Sequence, residues 1–389
     1  MKLSAKMARL GTETAFKVLM KAQALEAKGI DMIHLQIGEP DFVTPGNICD
    51  AAVRALGEGQ THYCNSQGIL PLRVEIAKHI GQTRGISVDP ANVIVTPGAK
   101  PIMFYTMLAL LEEGDEAIYP NPAYPIYESM INFTGAKAVP IPLREELDFR
   151  FDIDELKSRI TPRTRLIVIN SPQNPTGGML EENDIRAIAA LAQEHDIIVL
   201  YDELYDHIIY EGEPYSIASL PGMLDRTILL NGFSKTYAMT GWRLGYAVVP
   251  PKLVEPIVDL IVNNISCTAT FVQHGGVEAL TGPQDSVLEM VAEFRKRRDL
   301  IVDGLNAIPG ISCHKPKGAF YVFPNVKKLG VSSKELADYL LNEAGVAVLA
   351  GTDFGEYGEG YLRLSYANSQ ENIKKALERI EKATAKIAT

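Results

Sequence analysis

Lys235 follows the apolar run TILLNGF that begins at Thr227. A buried strand there delivers the lysine to the sheet edge where α/β proteins bind ligands. An amine that attacks carbonyls must titrate below its usual value of roughly 10.4, which takes an apolar pocket or a nearby cation. Ser234 adjoins it, and Arg243 follows in the same segment, just beyond Gly241. A hydroxyl and a planar guanidinium are what a phosphate-bearing ligand requires, because the fork donates two bonds to one phosphate. A lone lysine is most often a surface charge, so its company decides the reading.

Further segments of this kind recur along the chain, each with a plainer reading beside it. In TPGAKP, from Thr96, Gly98, Ala99 and Lys100 make a tight turn into a helix start, whose amides bind phosphate. Strand–glycine–helix junctions are also common architecture. Tyr124, in NPAYPIYES, is either a loop-packing aromatic or a platform for an electron-poor ring. Asn174, in NPTG, is either turn chemistry or a ligand donor. Asp202 ends the apolar run of VLYDELY, where a carboxylate needs a cation unless it caps a helix, and Tyr205 follows it. Arg363, inside the apolar YLRLSYA, needs an anionic partner; Gly38, in IGEPDF, follows a strand.

Taken together, Ser234-Lys235-x₅-Gly241-x-Arg243 resembles the lysine signature of class I/II aminotransferases, the fold-type I pyridoxal-phosphate enzymes related to aspartate aminotransferase. The resemblance runs from Ile37 to Ser365. It implies pyridoxal 5′-phosphate as cofactor, held by Lys235 as an internal Schiff base. Gly98, Ala99, Lys100, Ser234 and Arg243 are then the phosphate cup, and Tyr124 stacks on the ring. Asn174 and Tyr205 share the phenolic oxygen, while Asp202 keeps the pyridine nitrogen protonated as an electron sink. The implied catalytic set is Lys235, Asp202 and Tyr124, with Gly38, Asn174 and Arg363 at the substrate and Arg363 clamping its α-carboxylate. Tyr63 is implied to reach the phosphate of the neighbouring subunit, giving a homodimer with shared active sites. The segment SCTATFVQ, from Ser266, falls where the family contacts that neighbouring site. In one departure, Gly232 stands where many relatives carry a phosphate-binding serine.

The implied reaction moves an amino group between an L-amino acid and a 2-oxo acid with ping-pong kinetics. Glutamate/2-oxoglutarate with an aspartate, alanine or aromatic partner is the expected pairing. Glu13, Thr14 or Phe16 is expected to face the substrate side chain, where Lys100 attracts an acidic one. The same residues would serve a carbon–sulfur β-lyase or a cyclopropane-carboxylate synthase. A cofactor-dependent transcriptional regulator carries an added DNA-binding domain and is not expected, given the short stretch ahead of IGEPDF. A cofactor-free relative is expected to have lost Lys235 or Asp202, and both are present.

These residues need a scaffold, and the chain's pattern supplies one. Apolar runs near residues 92, 116, 137, 165, 196, 226 and 245 alternate with helical spacing at 101–112, 181–195 and 251–265. That predicts an α/β fold: a large domain with a mainly parallel seven-stranded sheet covered by helices. Segments 311–326 and 345–366 predict a small, largely antiparallel sheet, with helices at 333–344 and 370–386. A helix over 12–28 and a strand from Met32 join it, making a smaller α+β domain. The expected domains are 46–290 and, for the smaller, 1–45 with 291–389.

At 389 residues, with 46% hydrophobic and 22% charged, the chain can bury more than one core. A net charge of −10 gives no attraction to nucleic acid or anionic membrane. The basic run Arg295-Lys296-Arg297-Arg298 is expected to be a solvated helix face. Cys49, Cys64, Cys267 and Cys313 form no CxxC pair, which argues against zinc and against a disulfide framework, so no metal is expected. With neither a signal-peptide pattern nor a membrane-length apolar stretch, the chain is expected to be soluble and cytoplasmic.

Overall fold

The computed structural model describes residues 2–387; Met1 and residues 388–389 of the expected smaller domain lie outside it. Strand β1 (Ile33–His34) stands apart from the main sheet. That sheet contains β2 (Val93–Thr96), β3 (Glu116–Asn121), β4 (Lys137–Pro142), β5 (Thr164–Asn170), β6 (Ile198–Asp202), β7 (Thr227–Gly232) and β8 (Gly245–Val248). Their spatial order is β2-β8-β7-β6-β5-β3-β4. Only β8 runs antiparallel to its neighbours, so the sheet is mainly parallel, as the sequence predicts.

The apolar runs become strands because both faces of this sheet are covered. Along β5, Leu166 and Val168 enter one core layer while Ile167 and Ile169 enter the other, as the two-residue period of a strand demands. Helices Lys100–Leu110, Glu182–Glu194 and Pro251–Asn264 occupy the expected windows. The second of these starts in a reciprocal cap between Glu181 and Asp184, which satisfies free amides of its first turn. Parallel strands finish together, so Asn121, Asn170, Asp202 and Gly232 all arrive at one edge.

The C-terminal part builds a second core. Strand β9 (Tyr321–Val322) is followed by β10 (Val346–Ala347), β11 (Leu349–Ala350) and β12 (Leu362–Ser365). Strand β12 lies between β11 and β9 and is antiparallel to both, while β10 takes β1 as a parallel partner. One apolar cluster joins Ile33 and Leu35 to Phe294, Phe320, Leu340 and Ile373. Ala22 of helix Ala15–Glu26 packs with Met32, Leu341 and Ala347. The segment 311–326 is less regular than expected: beyond β9 it is held by isolated bridges such as Ser312 to Asn325.

The helix Asp285–Ala307 runs through residue 290, the expected boundary. One detail departs from the sequence reading. Half of the basic run is buried. Arg297 stacks on Phe42 and pairs with Asp41 at 2.7 Å, whereas Arg298 lies over Tyr210 and donates to Pro316 O at 3.1 Å. A guanidinium that finds both a ring face and oxygen acceptors loses its need for water. Among the described residues no helix is long and apolar enough to cross a membrane.

Candidate active site

A cavity of about 510 Å³ opens at the edge where β5, β6 and β7 end, and segments from the second core cover it. Its wall includes Lys235, Ser234 and Arg243 from the turn after β7, Asp202 and Tyr205 from the end of β6, and Asn174 from the loop after β5. Ala99, Lys100 and Tyr124 line another side, with Gly38 and Arg363 facing them. Residues separated by more than 300 positions therefore meet in one space.

The Lys235 amine donates to Gly38 O at 2.5 Å and lies 5.9 Å from the Phe320 ring. Burial lowers its pKa to about 8, with Arg243 and Arg363 adding to the effect against the pull of Glu39 and Glu13. The lysine thus reaches its neutral form far more readily than a surface amine.

Asp202 is buried, and burial raises its carboxyl to about 6. Its oxygens accept from Tyr127 Oη at 2.5 Å and from Leu204 N at 3.0 Å, both uncharged donors. Asn170 braces this corner: its side chain donates to Asp202 O and accepts from Asn174 N, each at 3.0 Å. Asn174 Oδ1 is itself buried without a protein partner. Tyr205 shares a 2.8 Å hydrogen bond with the Tyr321 hydroxyl.

At the other end the Gly98 turn is closed by Thr96, whose hydroxyl donates to Gly98 O at 2.7 Å. Gly98 itself does not line the cavity, but a side chain there would collide with the Arg243 guanidinium, and its φ of 85° suits glycine. Arg243 donates to two carbonyls, Thr240 O at 2.7 Å and Pro97 O at 3.5 Å, which leaves its charge without a carboxylate among these bonds. Gly232 packs against Gly245 and Leu204 inside the sheet end. Arg363, opposite Leu349 in the register of β12, is buried beside Tyr321 and Phe354. It donates to Gln36 O, and its Nε has no partner.

Sequence reasoning passed over several participants. Tyr127 lies one helical turn beyond Tyr124, in a segment read for Tyr124 alone. Tyr321 stands close enough to Gly38 that any Cβ there would strike its hydroxyl. Glu13, one of three residues (with Thr14 and Phe16) expected to face the substrate side chain, accepts from Lys100 at 2.5 Å and from the Tyr124 hydroxyl, contacts that the sequence reading did not include. Besides Gly98, which only underlies the turn, one named residue is not brought to this cavity. Tyr63 is 87% exposed and lines nothing here. Its segment instead packs on the one from Ser266, with Thr270 donating to His62 O at 2.7 Å.

The family model for aminotransferase class I and II matches residues 30–380. The chain belongs to that family. This aminotransferase is 43% identical to aromatic-amino-acid aminotransferase 2 of Thermococcus litoralis over 361 residues, covering 92% of each protein. It is 44% identical to the aspartate aminotransferase of Pyrococcus abyssi over 356 residues, covering 90% of this chain and 91% of that one. Among solved structures, aspartate aminotransferase from Thermus thermophilus with maleate matches at a TM-score of 0.95 and 38% identity, over 98% of this chain and 100% of that one. Alanine aminotransferase from Pyrococcus furiosus matches at 0.94 and 36% identity, over 99% and 100%. These relatives are named for amino-group transfer, and nothing in them supports the carbon–sulfur lyase alternative.

Proposed function

We propose that this aminotransferase binds pyridoxal 5′-phosphate across the cavity, with Lys235 at one end and Asp202 at the other. The observation that carries the reading is this pairing: an amine lowered to about 8 and a buried carboxylate met by uncharged donors, both facing one space. The residues present suit such a cofactor. Arg243, Ser234 and the amides of the Gly98–Lys100 turn suit its phosphate, and the turn leaves no room for a side chain at Gly98. Asn174 and Tyr205 both line the cavity, where the Asn174 side-chain N–H and the Tyr205 hydroxyl suit the phenolic oxygen. Asp202 supplies the anion that a pyridinium nitrogen needs in a buried site.

When bound, the cofactor supplies an aldehyde and a ring that accepts electron density from the substrate's α-carbon. The chain's own residues do the rest. Arg363 lines the cavity with its guanidinium, which would take the substrate carboxylate, and Tyr321 and Phe354 hold that guanidinium in place. The Lys235 amine, once free, removes the α-proton at Nζ and returns it, as a base and acid of suitable strength near neutrality. Tyr127 and Leu204 N fix the Asp202 carboxylate, so it does not reorganise as charge shifts.

Substrate choice follows from Glu13. It neutralises Lys100 at the mouth of the cavity, so an uncharged or aromatic side chain meets a paired wall. A dicarboxylic substrate can displace Glu13 and take Lys100 for itself. We therefore infer glutamate/2-oxoglutarate with aspartate, alanine or aromatic partners, in keeping with the names its relatives carry. The reading includes a cytoplasmic homodimer with shared sites, in which exposed Tyr63 reaches the neighbouring phosphate. It also includes a large unit near 46–290 and a small unit from both chain ends, supported by the cluster uniting Ile33 with Ile373.

The test is a stopped-flow panel of single amino acids, scoring loss of the visible band of lysine-linked cofactor. Donors that convert it to the pyridoxamine form, reversed by a 2-oxo acid, support the proposal. Pyruvate and ammonia in place of that form would show a lyase.

A further inference from the structure

Behind the cavity lies a buried ionic cluster that none of the roles above employs. Arg84, the last residue of helix Leu70–Arg84, donates to Glu203 Oε2 through Nε at 3.0 Å and Nη2 at 2.7 Å. Its Nη2 also donates to Asp206 Oδ2 at 2.5 Å. All three side chains are nearly inaccessible, at 8% for Arg84 and 3% for each carboxylate. Asp206 Oδ2 accepts a further bond from Asn231 Nδ2 at 2.8 Å, and Asn231 Oδ1 accepts from Gly232 N at 2.7 Å. His207 lies 3.9 Å from Asp206 Oδ1 and 3.4 Å from His79.

The placement of this cluster gives it a meaning beyond stability. Glu203 directly follows Asp202 at the end of β6 and Asp206 lies four residues beyond Asp202, while Asn231 and Gly232 end β7 just before Ser234 and Lys235. Backbone pairing between the two strands stops here, with Glu203 N donating to Leu230 O at 2.9 Å. Beyond that bond, side chains continue the connection: Arg84 to Glu203 and Asp206, Asp206 to Asn231, Asn231 to Gly232. Ser219 Oγ fixes the root of this brace, donating to Arg84 O at 2.8 Å.

We propose that Arg84 is a positioning residue for the reaction, locking the ends of β6 and β7 so that Asp202 and Lys235 stand one cofactor length apart. The inference rests on the cofactor reading above, since it concerns the span between the two groups assigned to its ends. A planar fork suits the task, because one guanidinium meets two carboxylates in fixed directions and a lysine cannot. Displacements of about 1 Å at reacting groups cost up to about a hundredfold in rate, so a brace this close to both residues matters.

The test compares two forms of the cofactor on purified apoprotein. Pyridoxal phosphate must engage Asp202 and bond to Lys235 together, whereas pyridoxamine phosphate engages Asp202 without the covalent bond. In Arg84→Lys, and in the charge-balanced pair Arg84→Gln with Glu203→Gln, pyridoxal phosphate affinity should fall about tenfold. Pyridoxamine phosphate affinity should fall less than about threefold, at unchanged circular dichroism. Asn231→Ala, which cuts the β7 side of the brace while leaving Arg84 paired, should shift the same ratio in the same direction. A wild-type ratio in folded variants overturns the proposal, as does an equal loss of both affinities alongside thermal stability. If wild-type apoprotein forms no lysine-linked band with pyridoxal phosphate, the cofactor reading fails instead, whatever Arg84 does.

Discussion

Asp202 and Lys235 carry opposite problems of burial, and their neighbours resolve them differently. Burial holds the Asp202 carboxyl at about 6, so its charge is lost as pH falls through that value. The Tyr127 hydroxyl favours the charged form by donating to it. Tyr127→Phe should therefore raise the carboxyl by about one pH unit, move the acid limb of the rate profile upward and cut kcat about tenfold. A carbon-13 titration of Asp202 in the apoprotein reads the first effect directly. Lys235 shows the converse: burial favours its neutral amine, and trapping of pyridoxal phosphate by apoprotein should rise through about pH 8 instead of above 10. Lys235→Ala should hold the cofactor without the visible band and lose turnover; normal turnover in that variant would end the proposal. At the mouth, Glu13→Gln frees Lys100, so KM for acidic donors should drop a few-fold while aromatic donors change little.

At the scale of elements, the turns at the strand ends set what the side chains can reach. Gly98→Ala puts a methyl group where the Arg243 guanidinium lies, at a φ that disfavours it. It should cost about 1 kcal/mol of stability and about tenfold in cofactor affinity, the second measured against inorganic phosphate as competitor. Most strands of the main sheet were legible in the sequence because each centres on an apolar run ended by a turn signal, the mark of a strand covered on both faces. The small unit was less so: β9 to β11 contain two residues each, too few for any period to show. The run at Arg295–Arg298 misled for a related reason. Charge composition indicates a wet helix face, yet Arg297 and Arg298 find Phe42, Tyr210 and the carboxylates of Asp41 and Glu211, supplied by distant elements.

At the scale of the molecule, Tyr63 is exposed, while its neighbour His62 accepts a hydrogen bond from Thr270 in the segment from Ser266. The proposed sharing of sites in a homodimer makes a prediction about mixtures. Tyr63→Ala and Lys235→Ala homodimers should each be impaired, but hybrids of the two should regain about one intact site per dimer. Activity in the mixture no higher than the average of the parents would place Tyr63 outside its neighbour's site. The sequence by itself pointed to the reaction class through a resemblance, carried by the segments around Lys235, Asp202, Asn174, Arg243 and Arg363, while the apolar runs located the strands that position most of them. Tertiary structure alone decided who stands behind them. Tyr127 on Asp202, Glu13 on Lys100 and Arg84 across Glu203 and Asp206 are contacts between elements far apart in the chain. No local pattern encodes such a contact, since what fixes it is the packing of one core against another.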